Sequence, residues 1–190
     1  MNAASKVHEK PKYTIRPVKD SVFKRYTRLK YLLRIKHWRG RDVHSPFTYS
    51  LVREALMLSS RNRNMPMNTQ LKESLEALGM PSSRINRICR VYNHLNYSSF
   101  AVGLSEYNGE DMLIVPEKLS KEQFDELAGR IKESDKQVCV VLLSIYASTD
   151  NHSAWHYIMR NHNAVFIDLY HIALIVFDKY LSKQSYKMRF

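Results

Sequence analysis

The chain has 190 residues, 44% of them apolar, and a formal net charge of +12 at pH 7. That length suits one domain around one core, and the composition excludes a collagen-like, low-complexity or disulfide-dense chain. No apolar run approaches the ~20 residues of a membrane-spanning helix, and the polar start Met1 to Lys12 has no signal-peptide core, so a cytoplasmic protein is expected.

The charge is unevenly placed. Residues 1 to 63 hold 16 Lys/Arg against four acids, which is the whole net charge; residues 64 to 190 hold 14 of each sign. A neutral domain therefore follows a strongly cationic segment, and a field of this kind meets phosphate or an anionic surface. The two cysteines, Cys89 and Cys139, fall in segments that read as buried and are expected to act as small apolar residues.

Residues 1–20 are polar and broken by Pro11 and Pro17, which predicts a flexible basic arm. Val22 to Trp38 reads as a basic helix whose inner stripe is Val22, Tyr26, Leu29 and Leu33, with Gly40 as its stop. Ser45 and Pro46 are a cap and a first-turn proline, and predict a second helix with Phe47, Leu51, Ala55 and Leu58 inward. A polar linker runs from Arg61 to Asn68. Asn68 caps a short helix that Gly79 ends, and Pro81 opens another with Ile85, Ile88, Val91 and Leu95 inward. Residues 21–97 thus form a helical N-terminal region.

From residue 98 the period changes. Ser99 to Ser105 and Met112 to Val115 read as strands. Parallel neighbours need a crossover of about a dozen residues, and only Glu106 to Glu110 lie between these two. Asn108-Gly109 is also a hairpin signal, so the two are expected to pair antiparallel or the first to lie outside the sheet. Ser120 and Gln123 are spaced as a capping box for a helix to Glu133. Gln137 to Leu143 is apolar throughout, as in a strand covered on both faces. A helix around Trp155 and Ile158 follows. Strands at Val165 to Leu169 and Leu174 to Phe177, and an edge strand at Tyr186 to Phe190, complete a small mixed sheet with helical cover, an α/β fold.

Two stretches together resemble a family of class I (Rossmann-like) S-adenosylmethionine-dependent methyltransferases. One is the basic helix Tyr31 to Gly40 running into Val43-His44-Ser45-Pro46-Phe47, similar to that family's His-Ser-Pro-Phe helix start. The other is the C-terminal part: Gln137 to Leu143 resembles the fifth strand, Trp155 the tryptophan of the next helix, and Val165 to Tyr170 with Leu174 to Phe177 the closing antiparallel pair. Lys183 to Phe190 resembles the family's tail. The resemblance covers about half the chain. It implies a small mixed sheet derived from a Rossmann-like methyltransferase at residues 98–190, with a basic helical extension before it, and 21–190 as one compact unit.

The middle departs from the family. Gly103 matches the glycine of the turn after the first strand, but Ala101 stands where the family has an acid. Asp111 to Val115 resembles the fourth strand, so the cofactor helix and the second and third strands have no counterpart. Glu117 stands one residue out of register with the acid that metal-assisted relatives carry after that strand, and Ser144-Ile145-Tyr146 offers none after the fifth. By this resemblance Gly103 and Glu117 are the residues that could still hold S-adenosylmethionine. The bland reading of Gly103 and Gly109 is a hairpin bend with a packing glycine.

The cationic segment gives the other candidates. Lys and Arg crowd residues 19–41, with only Asp20 opposing and aromatic residues interleaved. Arg25, Arg28, Arg34, Lys36, Arg39 and Arg41 form an anion- or nucleic-acid-contacting group, with His44 beside a helix start. The same segment could lie on an anionic membrane surface, or dock on the domain with its charges in solvent. His44 could equally satisfy backbone groups in a tight turn. His152 and His156 sit four apart without a third ligand, and no catalytic triad, carboxylate pair or phosphate loop is present. Three functions follow. The first is a degenerate, non-catalytic methyltransferase-like module, a pseudoenzyme that binds nucleic acid, another anionic surface or a protein partner through its basic segment and needs no cofactor. The second is a working methyltransferase with an altered S-adenosylmethionine site. The third is a nucleic-acid-binding protein.

Overall fold

A computed structural model describes residues 18–33, 43–57 and 68–189. Of the flexible arm expected at residues 1–20, the last three residues are instead the start of a helix, Val18–Leu32. Residues 1–17 lie outside the described ones, as do the expected continuation of that helix to Trp38, the stop at Gly40 and an inward Leu58.

Among the described residues, six strands form one mixed sheet in the order β1-β2-β3-β5-β4-β6. They are β1 Phe100–Val102, β2 Met112–Val115, β3 Val138–Leu143, β4 Val165–Asp168, β5 Ile172–Phe177 and β6 Gln184–Lys187. β1, β2 and β3 pair in parallel, β5 runs antiparallel between β3 and β4, and β6 lies parallel to β4 on the edge. Only β5 is reversed, so five strands deliver their carboxyl ends to one edge of the sheet. β2, β4 and β5 are buried at every position; β2 and β5 are apolar throughout, as expected of strands covered on both faces, and β4 is apolar up to its last residue, Asp168.

The sheet separates two apolar layers. On one face, Met112, Ile114, Cys139, Val141, Ile167 and Leu174 meet α3 (Thr69–Ala77), α4 (Ser82–His94) and the segment Leu51–Leu56. On the other, Leu113, Val140, Phe166 and Ile175 meet α5 (Lys121–Glu133) and α6 (Thr149–Asn161). The caps read from sequence are in place. Ser45 accepts from the Thr48 amide, Asn68 from Leu71, and Ser120 with Gln123 completes the capping box. Past α2 (Pro46–Ser50) the chain widens into a π-helical segment, closed by the Met57 amide on the Val52 carbonyl. That wider turn brings Leu51, Val52, Ala55 and Leu56 to one buried face. Cys89 and Cys139 are free and buried, and burial pushes their thiols up to about 11 and about 12.

Two expectations are corrected. β1 and β2 are parallel, with Phe100 opposite Met112, rather than an antiparallel hairpin. The rule that parallel neighbours need a long crossover assumes strands of ordinary length. β1 has three residues, so the chain must return only about 10 Å. The connection from Gly103 to Asp111 can reach about 30 Å when extended. Asn108-Gly109 is a bend inside this connection: Gly109 has φ +101° and the Asn108 amide donates to the Glu110 carboxylate at 2.7 Å. The Asp111 carboxylate accepts from the Ser98 and Ser99 amides at 2.8 and 3.1 Å, tying the start of β2 to the start of β1 and favouring the same direction for both.

The second correction concerns α1 (Val18–Leu32). Its apolar stripe does not face inward: Val22, Tyr26, Leu29 and Leu33 are 65, 54, 61 and 69% exposed. The docked side is Phe23, Thr27 and Tyr31, one residue round the helix, because the surface receiving it is aromatic and polar rather than aliphatic.

Candidate functional site

That receiving surface is built at the carboxyl edge of the sheet. β4 turns back into β5 through Tyr170 and His171, with the Leu169 amide on the Ile172 carbonyl at 3.0 Å. So tight a hairpin needs positive φ, which glycine or asparagine adopts without strain. Here the position is Tyr170, at φ +72°. The residue after β3, Ser144, is also left-handed, at φ +61°, and its amide donates to the His171 carbonyl at 2.9 Å. Strained non-glycine residues cost about 1–3 kcal/mol each and persist where their surroundings hold them.

What holds Tyr170 is specific. Asp168, 1% exposed at the end of β4, accepts the Tyr170 amide at 2.8 Å on one oxygen and the Tyr146 hydroxyl at 2.6 Å on the other. The Tyr146 and Tyr170 rings stack at 5.0 Å, and Tyr31 of α1 stacks on Tyr170 at 4.8 Å. The Tyr170 hydroxyl donates to the Lys24 carbonyl at 3.3 Å, and Thr27 lies 3.3 Å from the same hydroxyl. Phe23 meets His152 edge-on, and His152 in turn packs on Tyr146. At the other end of α1, Arg189, past β6, donates to the Leu32 carbonyl at 2.6 Å. One hairpin turn, one buried carboxylate and the C-terminal segment thus position the basic helix.

Between α1 and the edge lies an open cleft of about 470 Å³. Lys24, Arg25 and Arg28 line one side, and Ser144, Tyr146, Ala147, Tyr170 and His171 line the other. No acid is among these residues. The cationic field extends past the lining: the His171 imidazole is held down to about 4, first by partial burial and then by Arg84, Arg28 and Arg87. His171 thus feels the charges of Arg28 of α1 and of Arg84 and Arg87 of α4. Crevices outside the carboxyl ends of strands are the usual ligand position in open α/β sheets, and this volume falls in the range of small-ligand sites.

The other half of the edge is arranged differently. Gly103, with φ +98°, ends β1, and the Leu104 amide after it donates to the Glu117 carboxylate at 2.7 Å. Glu117 thus reaches the turn that follows Gly103, the other residue that the resemblance implies for a cofactor, through a bond that uses the turn's own donor. Glu117 also borders a small pocket of about 30 Å³, roughly one water molecule, against Leu142, Trp155 and Ile158.

Of the basic residues expected to contact an anion, Arg25 and Arg28 are brought to the cleft. His44 is exposed before the Ser45 cap and is not in the lining. Arg34, Lys36, Arg39 and Arg41 lie outside the described residues. Lys24, Ser144, Tyr146, Tyr170 and His171 carry no sequence signal for a site; only Tyr170-His171 between two apolar runs hints at one. The His152 and His156 rings approach at 3.2 Å between Nε2 atoms, so one donates and one accepts. Among the described residues no group of three or more His, Cys, Asp or Glu could hold a metal ion, and no helix is long and apolar enough to cross a membrane. Compared with protein-family models, curated proteins and solved structures, the chain gives no significant match.

Proposed function

We propose that this chain is a methyltransferase-like protein that works as a binding module for a phosphate-bearing ligand, without methyl transfer. The observation that carries this reading is the cleft itself: three cations of one helix facing an aromatic, acid-free wall at the carboxyl ends of β3 and β4. Arg and Lys in a partly desolvated groove bind phosphate oxygens by charge-assisted hydrogen bonds. S-adenosylmethionine is a net cation, so such a cleft disfavours it.

The family likeness draws support from the sheet. The strands read as first, fourth and fifth lie side by side in parallel, and the closing pair follows them with its second member reversed. The loss of methyl transfer draws support from the short Gly103 to Asp111 connection and from the Leu104–Glu117 bond.

Isothermal titration of the full chain tests the reading with two probes, ATP as an anion and S-adenosylmethionine. ATP is expected to bind in the micromolar range and to weaken at least about tenfold in Arg25→Ala/Arg28→Ala, the loss of one or two charged hydrogen bonds. Micromolar S-adenosylmethionine binding would restore the reading as an altered methyltransferase. An anion affinity untouched by the double substitution would remove the cleft from the argument.

A further inference from the structure

The outer face of α1 is used neither by the cleft nor by the docking contacts. Val22, Tyr26, Leu29 and Leu33 recur every three or four residues along it and are more than half exposed. Four large apolar side chains in one line, on the helix that carries the cleft cations, are not scattered surface residues of the kind that needs no explanation. Helical spacing places Arg25 on one flank of the stripe and Lys30 on the other, and both are exposed. Lys30 Nζ lies 4.4 Å from the centre of the Tyr26 ring. No acid lies between Ser21 and Leu33, and the first 63 residues hold the whole net charge of the chain.

We infer that this face lies on an anionic lipid bilayer, parallel to its surface. The chemistry fits on both counts. A line of Leu, Val and Tyr can enter the boundary between headgroups and acyl chains. Cations on both flanks then reach the headgroup phosphates, with the Lys30 stem running along Tyr26. A protein groove would need anionic positions matched to a few fixed cations, whereas an anionic leaflet meets a diffuse positive segment anywhere along it. The inner side of the helix, Phe23, Thr27 and Tyr31, stays docked on Tyr170 and His152, so the contact needs no unfolding. The inference does not rest on the cleft, since the apolar stripe lies off the cleft side of α1 and Arg25 is the one residue named for both.

Cosedimentation of the full chain with vesicles decides it. Phosphatidylcholine vesicles containing phosphatidylserine should pellet the protein, with partitioning that falls as salt rises, and vesicles of phosphatidylcholine alone should pellet far less. Leu29→Ser/Leu33→Ser should lower partitioning about tenfold or more while leaving the thermal midpoint unchanged, because both leucines are already in water. Arg28→Ala, which alters the cleft lining and leaves Arg25 and Lys30 on the flanks of the stripe, should keep most of the vesicle binding, which separates this inference from the anion site. No pelleting with anionic vesicles, equal pelleting with neutral ones, or a double-serine variant that pellets like the wild type would each overturn it. So would light scattering that shows a dimer which the double-serine variant dissociates, because the stripe would then be an interface between two copies.

Discussion

The two halves of the carboxyl edge face opposite problems. At β1 and β2 the chain is economical: a short connection, a glycine at φ +98°, and the Leu104 amide satisfied by Glu117 at 2.7 Å. At β3 and β4 it is strained, with Ser144 and Tyr170 both left-handed and cations gathered around an open cleft. A turn relaxed by glycine and closed on itself has little left to offer a ligand. A turn that forces a tyrosine into a glycine conformation, and holds it with a buried carboxylate, keeps its strain for a purpose. In this molecule the purpose is visible as the seat for α1.

The largest expected effect breaks that seat. Tyr170→Ala removes a buried ring stacked on Tyr31 and Tyr146 and should cost about 3 kcal/mol by urea unfolding. Tyr170→Gly removes the same ring but suits φ +72°, so it should be about 1 kcal/mol more stable than the alanine variant. Both should expose α1 to proteolysis and abolish the anion site. Equal stability of the two variants would mean that the turn stores no strain, and the contrast between the halves would fail.

Much of the architecture was legible because it rests on local chemistry. Ser45, Asn68 and the Ser120–Gln123 box announce three helix starts, and the apolar strings of β3 and β5 announce covered strands. The misreadings share one cause: local rules were overridden by distant partners. Asn108-Gly109 signals a hairpin, yet a three-residue β1 and the Asp111 carboxylate make the neighbours parallel. The stripe Val22, Tyr26, Leu29 and Leu33 signals a docked face, yet the surface it would meet consists of Tyr146, Tyr170 and His152, which suits Thr27 and rings better than aliphatic chains. Arg25 and Arg28 were readable as candidates from charge alone, and both line the cleft. The wall opposite them was not, since its members come from two strand ends far apart in sequence.

A second, smaller test sharpens the electrostatic side. The His171 imidazole is lowered to about 4, and burial lowers His152 and His156 as well. Each therefore binds protons more readily unfolded, near 6.5, than folded. Stability from these groups is fully present above about pH 6.5 and is lost as pH falls toward each folded value. The urea midpoint should drop between pH 7 and 5, and His152→Gln should flatten part of that drop. His171→Gln should matter less, because this side chain is exposed and screened. Anion binding to the cleft should run the other way. A phosphate beside His171 raises its proton affinity, so ATP should bind more tightly at lower pH. A midpoint that stays flat or climbs as the solution is acidified would refute this sign.

The smallest effect belongs to the quiet half. Glu117→Ala removes the acceptor of the Leu104 amide at an exposed site. Water can replace it there, so the cost should be about 0.5–1 kcal/mol. Its value lies in what it frees. With Glu117 gone, the turn after Gly103 presents an unoccupied amide at the end of a parallel strand, the geometry that favours an incoming anion or hydroxyl. If the bond alone keeps a methyl donor out, S-adenosylmethionine should bind Glu117→Ala in titration where the parent chain gives no heat. We expect no binding in either protein, because the short Gly103 to Asp111 connection holds only a three-residue 3-10 turn, Leu104–Glu106, too little to cover an adenosyl group whether or not the amide is free. Heat from the variant alone would show that a single carboxylate, rather than a missing stretch of chain, separates the two halves of the edge.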